Sequence, residues 1–160
     1  MISKRSYRLS DHSKRKLVGV NKDLIHVVID AIKTTKQDFR VLEGCRTKER
    51  QKELVRLGAS QTLNSKHISG DAVDLGAWLD GSVSWHWPLY IEIAEAMRKS
   101  AINNNVLLTW GACWHNPINN YDSAQEAMED YIKYKNDKGQ KPFLDGAHFQ
   151  IEVVKKGKQK

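Results

Sequence analysis

The chain has 160 residues, enough for one domain with a single core and too few for two ordinary ones. Hydrophobic residues make up 40% of it and five are tryptophans, which argues against wholesale disorder. The formal net charge is +7, and no apolar run approaches the roughly 20 residues of a membrane-spanning helix, so that class is excluded.

The N-terminus, MISKRSYRLSDHSKRK, is basic but lacks the apolar segment of a secretory signal. Synthesis in a cytoplasm is therefore expected, with no signal peptide. Positive charge gathers at both ends, with Lys4, Arg5, Arg8, Lys14, Arg15 and Lys16 at the front and Lys155, Lys156, Lys158 and Lys160 at the back. The expected organisation is one domain over 1–160 with basic tails at about 1–16 and 155–160. Such ends suit a polyanion, whether nucleic acid, an anionic membrane surface or a phosphorylated envelope polymer, and equally suit plain solvated tails. Cys45 and Cys113 are too few for a disulfide framework and read as buried structural thiols.

Leu17, Val20, Leu24, Val27, Val28, Ala31 and Ile32 recur at helical spacing, which predicts an amphipathic helix from about Asp23 to Thr34. DFRVLEG reads as a short strand closed by Gly44. Thr47 caps a helix running to Leu57, with Gly58 at its end. Residues 72–78 alternate as a strand, with Val73, Leu75 and Ala77 on one side and Ala72, Asp74, Gly76 and Trp78 on the other. LDGS signals a hairpin into a second strand near Ser82 to Trp85.

Pro88 starts the next helix, and VLLTW is a short strand followed by the loop GACWHNPINNYD. Ser123 and Glu126 form a capping box for a helix that buries Ala124, Ala127, Met128, Tyr131 and Ile132. The last strand, HFQIEVV, puts Phe149, Ile151 and Val153 on one face and His148, Gln150 and Glu152 on the other. In both strands the chemistry-bearing residue, Asp74 or His148, faces away from the apolar side. That pattern predicts an α+β fold: a small, mostly antiparallel sheet, helices packed behind it, and a polar cleft on the open face.

His67 and Asp74 near the middle and Asp145 and His148 near the end are the polar residues that stand out. Two imidazoles and a carboxylate suit a three-ligand zinc site with one position open for water. A second carboxylate that is not a ligand can move the water's proton to a leaving amine, and Asp145 is spaced for it. Spacing alone leaves this open: His12, His26, His86 and His115 compete as ligands, and each of these residues also suits an ordinary surface. His26 reads as a helix-surface residue, His86 as a rim residue, and His115 as a candidate substrate contact at the edge of the cleft.

Beyond spacing, VLEGCRTKERQKELVRLGASQT, SKHISGDAVDL (an SxHxxGxAxD pattern) and DGAHFQIE (a DxxHF ending) occur in that order. With the LVGVNKDLIHVVIDAI opening they make nearly the whole chain resemble the zinc L-alanyl-D-glutamate peptidases that serve as bacteriophage endolysins. That family is related to D-alanyl-D-alanine carboxypeptidases and the hedgehog-type fold. The resemblance implies that His67, Asp74 and His148 bind one Zn²⁺ and that Asp145 is the general base. It implies that Arg46 steadies the oxyanion or binds a substrate carboxylate, and that Ser65 orients the site or binds substrate. Gly70 lets the chain turn between the first two ligands.

The implied activity is hydrolysis of the L-alanyl-D-glutamate bond in the peptidoglycan stem peptide, lysing a bacterial host. Such an enzyme waits in the host cytoplasm until a holin-type lesion opens the membrane. It is expected as a monomer, with no specific nucleic-acid partner, its basic termini meeting the anionic cell envelope. Some relatives bind regulatory Ca²⁺ after their WG dipeptide. Here WGACWHNPINNYD offers Asn116, Asn119, Asn120 and Asp122 but few carboxylates, so calcium is not expected. The helix from Ser123 reads as an insertion. Two alternatives remain at this point: a D-alanyl-D-alanine carboxypeptidase, and a non-catalytic wall-binding or nucleic-acid-binding module.

Overall fold

The computed structural model describes residues 6–59 and 65–152. Val153 of the last strand and the basic segment 155–160 lie outside the described residues. No helix among those described is long and apolar enough to cross a membrane.

Among the described residues, five strands form one antiparallel sheet: β1 (Phe39–Glu43), β2 (Ala72–Leu79), β3 (Ser82–Ser84), β4 (Leu108–Trp110) and β5 (His148–Ile151). The order is β1-β2-β5-β4, and β3 pairs with β2 through the Asp80–Gly81 hairpin. The predicted strands are all present. The last two are shorter than their apolar runs because pairing stops where the β4–β5 ladder ends at Leu108 and Ile151.

The helices are α1 (Asp11–Lys16), α2 (Lys22–Thr34), α3 (Lys48–Arg56), α4 (Trp87–Asn103) and α5 (Ala124–Asp137). Leu24, Val27, Val28 and Ala31 of α2 join Ile93 and Met97 of α4 in one core with Val73, Leu75 and Ala77 of β2 and Phe149 of β5. The alternation of β2 therefore buries the side read as apolar and leaves Asp74 and Trp78 partly exposed. α5 packs on α4, and its cap is as expected, with the Ser123 hydroxyl accepting from Glu126 N–H. Apolar burial of this kind, at roughly 25 cal/mol per Å², is what holds the layers together.

Two features depart from the sequence reading. Residues 11–16, read as part of a basic tail, form α1, and Leu17 and Val20 lie in the turn before α2. The buried Ser13 hydroxyl accepts a 3.0 Å bond from Val41 N–H. That bond covers the outer edge of β1, which has no strand neighbour on that side among the described residues. Cys45 is exposed, contrary to expectation, because it sits in the turn after β1; Cys113 is buried as predicted.

Candidate metal centre

The β2–β5 ladder sets Asp74 directly opposite His148. On the other side of β2, a bulge at Leu42 adds one residue to β1 and brings Glu43 opposite Asp74. Glu43, Asp74 and His148 thus form one row across three strands on the open face. His67 reaches that row from the turn before β2. Gly70 closes this turn at φ +78°, and a Cβ there would lie 2.4 Å from the Gly19 carbonyl oxygen, so only glycine fits. The Ser65 hydroxyl accepts from His67 N–H at 3.1 Å, which braces the same turn.

His67 Nε2 and His148 Nδ1 lie 3.3 and 3.2 Å from the same oxygen, Asp74 Oδ1. One ligand atom from each of the three residues lies within 4.8 Å of the others. Tetrahedral zinc, with bonds of about 2.0–2.1 Å, separates neighbouring ligands by about 3.3 Å. The donor set therefore fits a zinc-sized ion, and among the described residues it is the one such cluster. Each imidazole's remaining nitrogen is committed elsewhere: His67 Nδ1 to the Gly44 carbonyl and His148 Nε2 to Gln150 Oε1, both at 2.9 Å. These partners fix which nitrogen faces the centre.

Burial alone would raise the Asp74 pKa, but hydrogen bonds from His148 and then His67 hold it well below the usual carboxylate range. His148 is opposed by its own burial, yet the bond to Asp74 keeps its pKa raised. Asp145 titrates upward instead, first from burial and then from the Asp74 charge. Two carboxylates in one site are thereby pushed in opposite directions.

Asp145 is held by its backbone. Its N–H donates to the Gly111 carbonyl at 2.8 Å, and the buried Trp110 indole donates to the Gly146 carbonyl at 2.8 Å. A Cβ at Gly111 would lie 2.0 Å from the Asp145 carbonyl oxygen, so this approach also requires glycine.

Arg46 lies on the opposite side. Nε and Nη2 bind the two Glu43 oxygens at 2.6 Å, Nη1 binds Gln51 Oε1 at 2.6 Å, and Nη2 is 3.9 Å from Asp74 Oδ2. α3 supplies Gln51 because Thr47 caps that helix.

His115 is placed apart from the three clustered residues. Its Nε2 lies 3.1 Å from Asp130 Oδ2, and its ring stacks on Tyr134. The neighbouring Trp114 is the residue that reaches the centre, its ring stacked on His148 with centroids 5.2 Å apart. Sequence reasoning missed Trp114 and Gln150; the period-two pattern of HFQ, which puts Gln150 on the face of His148, was the available signal for the second. In the loop read for calcium, Asn119 is spent on Leu108 N–H and the Val106 carbonyl, which pin the approach to β4. His12, His26 and His86 are all exposed.

The comparisons with known proteins agree with this geometry. A family described as phage L-alanyl-D-glutamate peptidase matches residues 5–153. The chain belongs to this family. It is similar to the L-alanyl-D-glutamate peptidase of Escherichia phage T5, at 24% identity over 129 residues, covering 78% of this chain and 94% of that protein. It is also similar to the crystal structure of the Serratia marcescens L-Ala D-Glu endopeptidase ChiX. That match has 34% identity and a TM-score of 0.71, covering 92% of this chain and 91% of ChiX.

Proposed function

We propose that this endopeptidase cuts the peptidoglycan stem peptide between L-alanine and D-glutamate, as a zinc enzyme. The observation that carries the reading is the convergence of His67 Nε2 and His148 Nδ1 on Asp74 Oδ1. Bound at His67, Asp74 and His148, zinc would supply Lewis acidity toward a carbonyl and a lowered pKa for water.

The remaining work falls to side chains. Asp145 accepts a proton from the attacking water and returns it to the departing amine as the amide C–N bond breaks. Arg46, locked by Glu43 and Gln51, presents positive charge beside Asp74 and steadies the oxygen that gains charge. Ser65 acts through His67 by bracing its turn. His67 and Asp74 are fixed before substrate arrives, so little reorganisation is needed.

As a phage endolysin the enzyme acts on the cell wall, and we assign its route there to a holin-type lesion, from the host cytoplasm. The basic termini are assigned to the anionic envelope, with the enzyme as a monomer. Lysis should then weaken as ionic strength rises. Digestion of purified muropeptides, with the products weighed, tests the bond. Products ending in L-alanine, with a new D-glutamate amine, are expected. Release of terminal D-alanine with the L-alanine bond intact would instead make it a D-alanyl-D-alanine carboxypeptidase.

A further inference from the structure

We propose that an aromatic groove running from the metal centre along α5 binds the sugar to which the stem peptide is attached. The inference rests on the peptidase reading above. Trp114 stacks on His148 at 5.2 Å and on the far side meets Phe143 at 6.1 Å, its indole N–H donating to the Phe143 carbonyl at 3.1 Å. Phe143 is 59% exposed and Tyr134 38%. Together with His115, Tyr131 and Lys135, these three residues line a cavity of about 460 Å³, which Trp114 links to His148.

Phe143, left in solvent against Trp114, points to a ligand with a flat apolar face, and Tyr134, covered by His115 and by the Lys138 ammonium 4.2 Å from its ring centre, flanks it. A pyranose ring offers such a face of C–H groups, with hydroxyls and an acetamido group for polar partners at the rim. Lys135 supplies a charged group to the lining.

Charge decides which half of the substrate enters. The groove continues into a second cavity of about 440 Å³ lined by Asp130, Asp137 and Lys133, with Lys133 paired to Asp137 at 2.8 Å. Asp130 and Asp137 against Lys133 and Lys135 leave the two cavities with no excess positive charge for the D-glutamyl half, which carries free carboxylates, and suit a neutral sugar. Length agrees with charge. L-alanine is the one residue between the scissile amide and the lactyl group of the sugar, and a residue spans at most about 3.6 Å. The sugar therefore begins within reach of Trp114. His115 has its place here, stacked on Tyr134 with centroids 4.5 Å apart and oriented by Asp130, as part of the groove wall.

The test compares kcat/KM for a disaccharide-linked tetrapeptide and for the same tetrapeptide without sugar, using the full chain with zinc. The wild type should prefer the sugar-linked form by about tenfold, chiefly through KM. Phe143→Ala and Tyr134→Ala should each move that ratio toward one. Equal kcat/KM for the two substrates in the wild type, or a ratio unchanged in both variants, overturns the subsite while leaving the peptidase reading intact. Cleavage of neither substrate overturns the peptidase reading itself.

Discussion

Asp74 and His148 are direct partners across the β2–β5 ladder, and His148 Nδ1 lies 3.2 Å from Asp74 Oδ1. A single antiparallel pairing therefore assembles half of the centre from residues 74 positions apart. The other nitrogen of His148 is held by Gln150, two residues along the same strand face. Gln150→Leu removes that partner and frees the ring to rotate. Zinc affinity, measured by competition with a chromogenic chelator, should fall about 10- to 100-fold. An unchanged affinity would show that Gln150 does not orient the ligand.

Asp145→Asn separates holding the ion from using it. Turnover should drop by about 10²–10⁴-fold, while the zinc content per chain stays near that of the wild type. Loss of metal in this variant would show that Asp145 is a ligand, not the base.

Gly111→Ala tests how Asp145 is positioned. The added methyl would occupy the space of the Asp145 carbonyl oxygen, 2.0 Å away, so the segment carrying Asp145 must shift. Overpacking of this kind costs about 1–3 kcal/mol. Activity should fall at temperatures where circular dichroism still reports a folded chain. Full activity would mean that Asp145 tolerates displacement.

Glu95 couples stability to pH away from the centre. It binds Arg98 on its own helix and accepts the Ala124 N–H at 2.9 Å, which satisfies the start of α5. Burial alone would raise its pKa, but Arg98 and then the Ala124 N–H hold it below the ordinary value. A carboxylate with a lowered folded pKa stabilises above its unfolded pKa, and that stabilisation is lost as pH falls through the folded value. Glu95→Gln should therefore cost about 1 kcal/mol at neutral pH. The difference should shrink progressively below about pH 4.5, as seen in urea unfolding. A constant gap down to pH 3 would contradict the assignment.

Much of this arrangement is legible in the residues. Period-two alternation put Asp74 and His148 on the open face, and the Thr47 and Ser123 caps located two helices. What resisted reading depends on contacts distant in sequence. The six residues of α1 carry no apolar stripe, and their place is set by the Ser13 hydroxyl meeting Val41 N–H, 28 positions away. The bulge at Leu42 leaves no local signature, yet it sets Glu43 opposite Asp74, and Glu43 in turn holds Arg46. Trp114 falls in a loop without periodicity, so only the folded chain reveals its ring against His148. His115, the candidate substrate contact of that loop, faces Asp130 and Tyr134.

Anomalous diffraction from zinc-loaded crystals, collected on both sides of the zinc edge, tests the central claim most directly. The account predicts one peak about 2.0–2.2 Å from His67 Nε2, Asp74 Oδ1 and His148 Nδ1 together, with Asp145 outside bonding distance. A peak at other residues, or one that Asp145 ligates in place of any of these three, would contradict it.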